Sequence, residues 1–387
     1  MPVVTVDVLV IGAGMVGSAC AYHCAEAGLR VAVVDRGPVA GGTTSAGEGN
    51  ILVSDKEPGA ELEMALLSVQ LWAALGERIG ADRLELEPKG GVVVAQTAEA
   101  AAGLAGLVAA QRADGVEVSD VSAAELAELE PNLTREVSAG AHYPQDMQVQ
   151  PMLAAAELLR QARVRGATVR TGCEVLGLRR SPDGAVIGAT TSAGDISARY
   201  TINAAGTWGG EVAAMAGVNV PVLPRKGFIL VTEPLPPAVV RHKVYSADYV
   251  ANVASGDAGL ETSVVVEGTR AGTVLVGASR ERVGFDRTVS VAVLQRLAAQ
   301  AIGLFPFLSD VTLLRSYLGF RPYCPDHLPV IGEDPRAPGL VHACGHEGAG
   351  IGLSAATGHL IAQVLTGEKP DLDLAPFRPD RFTVEVA

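Results

Sequence analysis

The sequence predicts an α/β fold in which a Rossmann-type nucleotide-binding domain is interleaved with a domain built on an antiparallel sheet. Residues 8–17, VLVIGAGMVG, place a G-x-G-x-x-G motif directly after an apolar run, as in a strand–turn–helix unit. A second predicted strand, residues 30–34, leads to Asp35, 18 residues after the last glycine of the motif. Residues 227–233 and 263–278 alternate or run apolar around turn signals, which is typical of antiparallel strands.

The motif and the acidic residue together predict a dinucleotide site. Gly12 permits the tight turn, Gly14 lets backbone amides approach a pyrophosphate, and Gly17 lets the helix pack on the strand. Asp35 follows the second strand, where its carboxylate can accept both hydroxyls of an adenosine ribose. The motif alone is compatible with both NAD and FAD, and a ligand-free glycine-rich corner is the simpler alternative.

The loop after Asp35 favours FAD. Residues 36–51, RGPVAGGTTSAGEGNI, are too rich in glycine, threonine and serine for a helix, whereas an NAD-binding unit normally continues into another strand and helix. Such a loop offers amides and hydroxyls to the pyrophosphate, the ribityl chain and the ring edge of a flavin. A flexible surface loop is the alternative interpretation.

The C-terminal region points the same way. Residues 340–344 are expected to form a last strand, 345–352 a turn and 354–365 a helix. The start of that helix can place a positive dipole near the flavin C2 carbonyl, where reduced flavin carries negative charge. Together with the loop, this arrangement favours FAD over NAD.

Several segments resemble the flavoprotein family of D-amino acid oxidase, glycine oxidase and sarcosine oxidase. They are GTTSAGEGN (42–50), ATVRTGCEV (167–175), TINAAGTW (201–208), GFRPYCPD (319–326), LPVIG (328–332) and GHEGAGIG (345–352). The resemblance spans essentially the whole chain and implies a glycine oxidase-like fold, with a Rossmann-type FAD-binding domain and an interleaved antiparallel-sheet substrate domain. The position of the cysteine that tethers the flavin in monomeric sarcosine oxidase falls on Gly319, so the resemblance implies noncovalent FAD.

The motifs and the resemblance together yield a set of expected cofactor-binding residues. They are Gly12, Gly14, Met15, Val16, Gly17, Asp35, Arg36, Thr43, Thr44, Ser45, Gly47, Gly49, Asn50, Val175, Ala205, Gly206, Trp208, Gly348, Ala349, Gly350 and Ile351.

The resemblance also implies the reaction, which is oxidation of a carbon–nitrogen bond beside a carboxylate by hydride transfer to flavin N5. A planar guanidinium suits such a carboxylate because it can bind both oxygens, and Arg321 matches the family's position for it. The alternative is a structural ion pair between Arg321 and a residue such as Asp326. His346 and Glu347 are further catalytic candidates, although both have an ordinary interpretation as loop hydrogen-bonders. Weaker candidates for the carboxylate site are Arg225, Arg270 and Arg280.

The narrower resemblance concerns the substrate. Residues 43–59, 266–286 and 321–333 look closest to the flavin subunits of D-hydroxyproline dehydrogenases, with opine oxidases and cyanide-forming glycine oxidizers nearby. This implies an amino or imino acid substrate of the D-amino acid or D-proline/hydroxyproline type, with electrons passing to O2 or to a small iron–sulfur partner subunit. Residues 263–270 lack the tyrosine of glycine oxidase, which puts simple glycine oxidation in doubt.

Two alternatives to that function stay open. One is an oxygen-using oxidase of N-substituted glycines or opines, including a biosynthetic role. The other is a non-catalytic FAD-holding subunit, which the intact flavin segments and the position of Arg321 disfavour.

Composition and segment order set the remaining expectations. We expect FAD-binding pieces at 1–55, 145–222 and 320–387, substrate-domain pieces at 56–144 and 223–319, and helices over 62–79 and 98–114.

A net charge of -13 argues against a nucleic-acid surface. Five cysteines without C-x-x-C spacing predict no metal site, so any iron–sulfur cluster belongs to another chain. No apolar run reaches the ~20 residues of a membrane helix, and we expect a cytoplasmic protein whose oligomeric state is open.

Overall fold

Two eight-stranded sheets and one two-stranded sheet organise residues 4–248 and 256–382, the parts of the chain that the computed structural model describes. In chain order, their strands are β1 (Val4–Ile11), β2 (Val31–Asp35), β3 (Asn50–Ile51), β4 (Gly91–Ala95), β5 (Ser119–Val121), β6 (Ala139–Tyr143), β7 (Met147–Gln148), β8 (Thr168–Thr171), β9 (Val175–Arg180), β10 (Val186–Thr191), β11 (Gly194–Asn203), β12 (Leu223–Thr232), β13 (Lys243–Ser246), β14 (Glu261–Gly268), β15 (Val274–Arg280), β16 (Leu313–Tyr323), β17 (Val330–Glu333) and β18 (Leu340–Cys344). The α-helices are α1 (Met15–Glu26), α2 (Ala60–Leu75), α3 (Ala81–Leu84), α4 (Ala98–Ala113), α5 (Ala123–Leu129), α6 (Pro151–Val164), α7 (Gly209–Met215), α8 (Val291–Leu304) and α9 (Ser354–Thr366).

The first sheet has the strand order β17-β18-β11-β1-β2-β8, and β10 and β9 continue it antiparallel from β11. Its central strand β1 is parallel to both neighbours, with Val10 opposite Ile202 of β11 and opposite Val33 of β2. Residues 8–11 of β1 are buried, as the unbroken apolar run predicts for a strand covered on both faces.

Helices α1 and α9 pack against each other beside this sheet. Gly358 of α9 permits their close approach, because a Cβ atom there would lie 2.6 Å from the carbonyl oxygen of Ala19 in α1. Cys20 and Cys24 of α1 are fully buried, and burial raises the pKa of the Cys24 thiol to about 12. Both cysteines therefore serve as small core residues in this helix.

The second sheet has the strand order β16-β12-β15-β14-β13-β4-β6-β5, and α8 packs against β14 and β15. Neighbouring strands are antiparallel except for β13 and β4, which pair parallel with Tyr245 opposite Val93. This parallel pair joins two pieces of chain that lie far apart in sequence, so the local alternation of either piece could not predict it. The predicted combination of a Rossmann-type domain with a largely antiparallel sheet is confirmed.

The predicted helices correspond to α2 and α4, although the expected helix over 62–79 continues beyond α2 as a π-helical segment, Gly76–Gly80. The predicted domain boundary at residue 320 falls within β16, which belongs to the second sheet along its whole length. The domain ranges therefore stay a prediction. In the described part of the chain, no helix has both the length and the apolar character needed to cross a membrane.

Candidate active site

A cavity lies at the edge of the first sheet where β1, β2, β11 and β18 end, and the second sheet forms its far wall. These four strands are parallel, so the segments that follow them meet at the same edge. The far wall contains Gly227 and Ile229 of β12 together with residues 319–322 of β16. A nucleotide-binding corner and a sheet-built wall therefore face the same space.

The corner after β1 has the geometry that a phosphate requires. Gly12 has a φ of 114°, and a Cβ atom there would lie 2.3 Å from the backbone oxygen of Ala204, so only glycine fits. Gly14 precedes α1, and no side chain caps the helix at that position. The Met15 N–H donates to Thr44 Oγ1 at 2.9 Å, which brings the glycine-rich loop against the helix N-terminus. Because Gly14 has no side chain to cap the helix and residues 14–16 line the cavity, the start of α1 fits a pyrophosphate.

Asp35 lines the cavity at the end of β2 and is held by the backbone. Its Oδ2 accepts from the Ala13 N–H at 2.7 Å, and its Oδ1 accepts from the Gly37 N–H at 2.7 Å. Because each carboxylate oxygen has a second acceptor site, the fixed carboxylate can still accept ribose hydroxyls. The donor set of the corner thus fits an adenosine ribose beside a pyrophosphate.

The glycine-rich loop, residues 36–51, is ordered by contacts with the second sheet. Thr43 Oγ1 donates to the carbonyl oxygen of Phe320 at 2.7 Å, and Thr207 Oγ1 donates to the same oxygen at 2.9 Å. Gly49 packs on the backbone of Val149, where a Cβ atom would lie 1.8 Å from the carbonyl oxygen. The loop is therefore a wall of the cavity and not a flexible surface segment.

Aromatic rings cover one side of that loop. The guanidinium carbon of Arg36 lies 4.4 Å from the Trp208 ring centroid, and the Phe285 ring stacks on Trp208 with centroids 5.4 Å apart. Phe285 also contacts Phe320 edge to face, at 5.3 Å between centroids. Sequence reasoning named Arg36 and Trp208 but not Phe285, which gives no local signal because it comes from a distant loop.

Arg321 projects from β16 into the cavity. Its Nη1 donates to the carbonyl oxygen of Ser279 at 2.9 Å, and it occupies the space above Gly227, where a Cβ atom would lie 2.3 Å from Nη1. Asp326, the expected alternative partner, forms its ion pair with Arg381 at 2.7 Å. The guanidinium of Arg321 is thus placed where a ligand in the cavity can reach it.

His346 and Glu347 also line the cavity, but both side chains have structural partners. His346 Nε2 lies 2.9 Å from Thr357 Oγ1, and burial lowers the pKa of this histidine to about 3, so its ring is neutral. Glu347 accepts from Arg225 Nη1 at 2.6 Å and lies 3.2 Å from His327 Nδ1.

The charge state of Glu347 follows from those partners. Burial acts to raise the pKa of Glu347, but the hydrogen bond with His327 and the positive charges of Arg225 and Arg280 lower it to about 2. Glu347 is therefore ionised at neutral pH. Of the weaker arginine candidates, Arg225 and Arg280 are buried near this carboxylate, whereas Arg270 is surface-exposed and pairs with Asp82 at 2.9 Å.

Most residues expected at the site line the cavity. They are Gly12, Gly14, Met15, Val16, Asp35, Arg36, Thr43, Thr44, Gly47, Asn50, Val175, Ala205, Gly206, Trp208, Arg321, His346, Glu347, Gly348, Gly350 and Ile351. Four expected residues lie outside its lining, namely Gly17, Ser45, Gly49 and Ala349.

Gly49 packs on the backbone of Val149, as described above, and the other three residues also have structural positions. Gly17 packs α1 against the turn, because a Cβ atom there would lie 2.0 Å from the carbonyl oxygen of Gly12. Ser45 donates to the carbonyl oxygen of Gly42 at 3.1 Å, and Ala349 lies in a neighbouring cleft.

The structure adds residues that sequence reasoning did not select, above all Glu48, Gly227 and Ile229. The signal for Glu48 was present, since it is the one acidic side chain within the small-residue loop GTTSAGEGN. Gly227 and Ile229 follow the alternation of a strand, and alternation does not reveal what the exposed face meets.

Comparisons with known proteins agree with this geometry. The family model described as DAO, FAD dependent oxidoreductase, matches residues 7–364. The chain is 32% identical to a glycine oxidase of Geobacillus kaustophilus, over 98% of each sequence, and the crystal structure of glycine oxidase from that organism superposes with a TM-score of 0.87, 28% identity and coverage of 97% and 99%. It is 30% identical to hydrogen cyanide synthase subunit HcnC of Pseudomonas aeruginosa, over 99% of this chain and 98% of that subunit. An iminodiacetate oxidase from Chelativorans sp. BNC1 has a TM-score of 0.84 and 28% identity, with coverage of 96% and 99%.

Proposed function

Because the chain belongs to the DAO family of FAD-dependent oxidoreductases, we propose that it oxidises the carbon–nitrogen bond of an α-amino or imino acid whose carboxylate binds Arg321. The observation that carries this proposal is the position of Arg321, which faces the same cavity as the Gly12–Gly14 corner and the turn at 348–350. A guanidinium beside a flavin site suits a substrate with a carboxylate next to its reacting carbon.

The residues of the cavity would hold FAD as follows. The start of α1 would bind the pyrophosphate, and Asp35 would bind the adenosine ribose. The glycine-rich loop and the turn at 348–350 would bind the flavin portion. Gly319, which offers no thiol, lines the cavity at the position expected for a covalent tether. When bound, FAD accepts the electron pair and hydrogen released at the substrate carbon.

The residues of the chain itself would orient the substrate and provide apolar surface around it. Arg321 would fix the substrate carboxylate, while Ile229 and Phe320 provide apolar wall beside it. His346 is neutral and bonded to Thr357, so its ring has no proton-accepting task in this proposal. Direct transfer of hydrogen from carbon requires only that the amine nitrogen carry a free lone pair and that the carbon be correctly placed.

Within this class we propose a cyclic secondary amine acid of the D-proline or D-hydroxyproline type as the substrate. The support is the resemblance of residues 43–59, 266–286 and 321–333 to hydroxyproline dehydrogenase subunits. Residues 264–266 of β14 are buried valines, and this strand lacks the tyrosine expected of a simple glycine oxidase.

A second candidate is the oxidation of N-substituted glycines by O2. The similarity to an iminodiacetate oxidase favours it, because iminodiacetate is itself a secondary amine that carries carboxylates. For the first candidate, by contrast, we propose that a partner chain with an iron–sulfur cluster receives the electrons, as the resemblance to hydroxyproline dehydrogenase subunits implies. One relative is itself named as a subunit of a larger enzyme, which supports a partner chain. All five cysteines are buried, and the described residues include no His, Cys, Asp and Glu group suited to a metal ion.

Anaerobic spectroscopy of the FAD-loaded protein tests the proposal. Mixing with cis-4-hydroxy-D-proline, D-proline, sarcosine or iminodiacetate should bleach the flavin absorbance if the compound donates hydrogen, whichever acceptor follows. We expect bleaching by the cyclic amines, loss of it in Arg321→Ala, and normal behaviour of Arg270→Gln, which removes a surface arginine paired with Asp82.

The outcomes separate the two candidates. Bleaching by iminodiacetate or sarcosine alone, with rapid recovery of colour in O2, would favour the oxidase. A yellow protein that no amine bleaches would contradict both candidates.

A further inference from the structure

Glu48 is a buried carboxylate at the edge of the proposed substrate space. It lines the cavity, yet its side chain is only 5% exposed. Its Oε2 accepts from Asn50 Nδ2 at 3.2 Å and lies 3.6 Å from Lys243 Nζ. Its Oε1 has no hydrogen-bond partner among the described residues and sits beside Gly277, where a Cβ atom would lie 2.8 Å away. One oxygen is thus anchored, while the other is a buried acceptor without a hydrogen-bond partner among the described residues, on a side chain that borders the cavity.

The groups around Glu48 favour a ligand that carries an N–H donor. Lys243 Nζ also lies 2.7 Å from Glu267 Oε2, and both of these side chains are 1% exposed. Among the described residues, this buried cluster therefore contains two carboxylates and the ammonium group of Lys243, which also donates a hydrogen bond to Asn50. A buried carboxylate oxygen without a partner is costly, so an N–H donor in the cavity, from a neutral or a protonated amine, would stabilise the cluster.

Arg321 and Glu48 both lie against nearby positions of the second sheet. The guanidinium lies above Gly227, whereas Glu48 Oε1 lies beside Gly277, whose Cβ position is 2.9 Å from the side chain of Ile229. Gly227 and Ile229 are two positions apart on β12, so they project from the same face about 7 Å from each other.

That separation suits the two ends of an α-amino acid. Its carboxylate and its nitrogen are attached to the same carbon, and each would need one hydrogen-bond length to reach a side chain. A zwitterion that lies across this face of β12 can therefore contact Arg321 above Gly227 at one end and Glu48 near Ile229 at the other. A ligand that has only a carboxylate can satisfy Arg321 alone.

We propose that Glu48 binds the amino nitrogen of the substrate, so that Glu48 and Arg321 together select amino and imino acids over simple carboxylic acids. This inference rests on the proposed function, because it assigns the second end of the same substrate. It makes Glu48 a substrate-binding residue, with Lys243 and Asn50 as positioning residues that hold its other oxygen.

The test compares two probes that differ at a single ring atom. D-Proline carries the nitrogen, and tetrahydrofuran-2-carboxylate carries an ether oxygen in its place. The affinity for tetrahydrofuran-2-carboxylate is measured from the change that it causes in the flavin spectrum. The affinity for D-proline is measured as the concentration that half-saturates anaerobic flavin reduction.

In Glu48→Gln we expect D-proline to bind roughly 10- to 100-fold more weakly, because a charge-assisted hydrogen bond is lost. The affinity for tetrahydrofuran-2-carboxylate should change by less than about twofold or increase, since this probe has no nitrogen to bind Glu48.

Glu267→Gln is the matched control. It removes the same charge from Lys243, but Glu267 is not part of the cavity lining, so the ratio of the two affinities should stay at the wild-type value. If Glu48→Gln and Glu267→Gln weaken both probes alike, Glu48 has only a structural role and the proposal is wrong.

Flavin content shows whether each variant is folded. Should Glu48→Gln lose FAD, Glu48→Asp takes its place, since it keeps the charge but retracts the oxygen, and the same split between probes is expected. The two proposals fail separately: a wild-type protein that no amine reduces contradicts the function, whereas normal reduction with an unchanged affinity ratio in the Glu48 variant contradicts only this inference.

Discussion

Replacing Gly227 by alanine should displace Arg321 without touching the nucleotide corner. A Cβ atom at Gly227 would lie 2.3 Å from Arg321 Nη1 and 2.5 Å from the carbonyl oxygen of Ser279. Real Cβ atoms keep a separation of about 3.4 Å or more from such atoms, so each neighbour must move by roughly 1 Å. The hydrogen bond between Arg321 and Ser279, now 2.9 Å long, would not survive both shifts.

Two magnitudes follow from this displacement. Overpacking typically costs about 1–3 kcal/mol of folding free energy, which lowers the Tm by a few degrees. Loss of one charge-assisted hydrogen bond to the substrate carboxylate costs about 1.5–3 kcal/mol, which corresponds to roughly 10- to 150-fold weaker binding. FAD content should stay normal, since Gly12, Gly14 and Asp35 lie on the opposite wall of the cavity.

The assay measures the Tm, the FAD content and the amine concentration that half-saturates anaerobic flavin reduction. Gly103→Ala is the control, because a Cβ atom at this exposed position of α4 meets nothing within 4 Å. That change should stabilise the helix by about 0.5–1 kcal/mol and leave amine binding alone. If Gly227→Ala holds FAD and binds the amine as tightly as the wild-type protein, Arg321 does not bind the substrate carboxylate from its observed position.

Two further predictions concern the nucleotide corner and the pH dependence of stability. Gly12→Ala should give a colourless protein without FAD, because its Cβ atom would lie 2.3 Å from the backbone oxygen of Ala204; absorbance of the purified variant checks this, and a yellow product would refute it. Glu347→Gln should be less stable than the wild type at neutral pH, and the difference should shrink as the pH falls from about 4.5 through about 2, because the lowered pKa of Glu347 stabilises the fold only while the unfolded carboxyl is ionised. Denaturant midpoints measured from neutral pH down to about pH 3 test this sign, and a constant difference would contradict it.

The nucleotide corner could be predicted from sequence because its causes are local. The corner consists of a glycine with positive φ, a glycine at the helix start and an acidic residue at the end of the next strand. All three lie within some thirty residues of chain, and each requires a particular residue type that the sequence shows. The family, the enzyme class and FAD as cofactor followed from the same segments, and the family match over 7–364 confirms them.

The substrate side depended on pairings that no local pattern contains. Arg321 could be selected from its motif, but its contact with Ser279 and its position above Gly227 arise from the packing of β12, β15 and β16. The role proposed for Glu48 depends on its contact with Lys243, which is almost two hundred residues away in sequence. Lys243 belongs to β13, which pairs with β4, so the contact depends on tertiary structure. A buried charge is visible in a sequence only as a charge, since its burial and its partners are properties of the packed fold.

The carbonyl oxygen of Phe320 links the two halves of the site. It accepts hydrogen bonds from Thr43 in the glycine-rich loop and from Thr207 in the turn after β11, and both donors belong to segments expected to hold FAD. The next residue along β16 is Arg321, so the proposed carboxylate anchor is attached through one peptide unit to the proposed cofactor site. Since hydride transfer depends on the placement of one carbon relative to the cofactor, an anchor tied to the loop proposed to hold the cofactor helps to fix that distance.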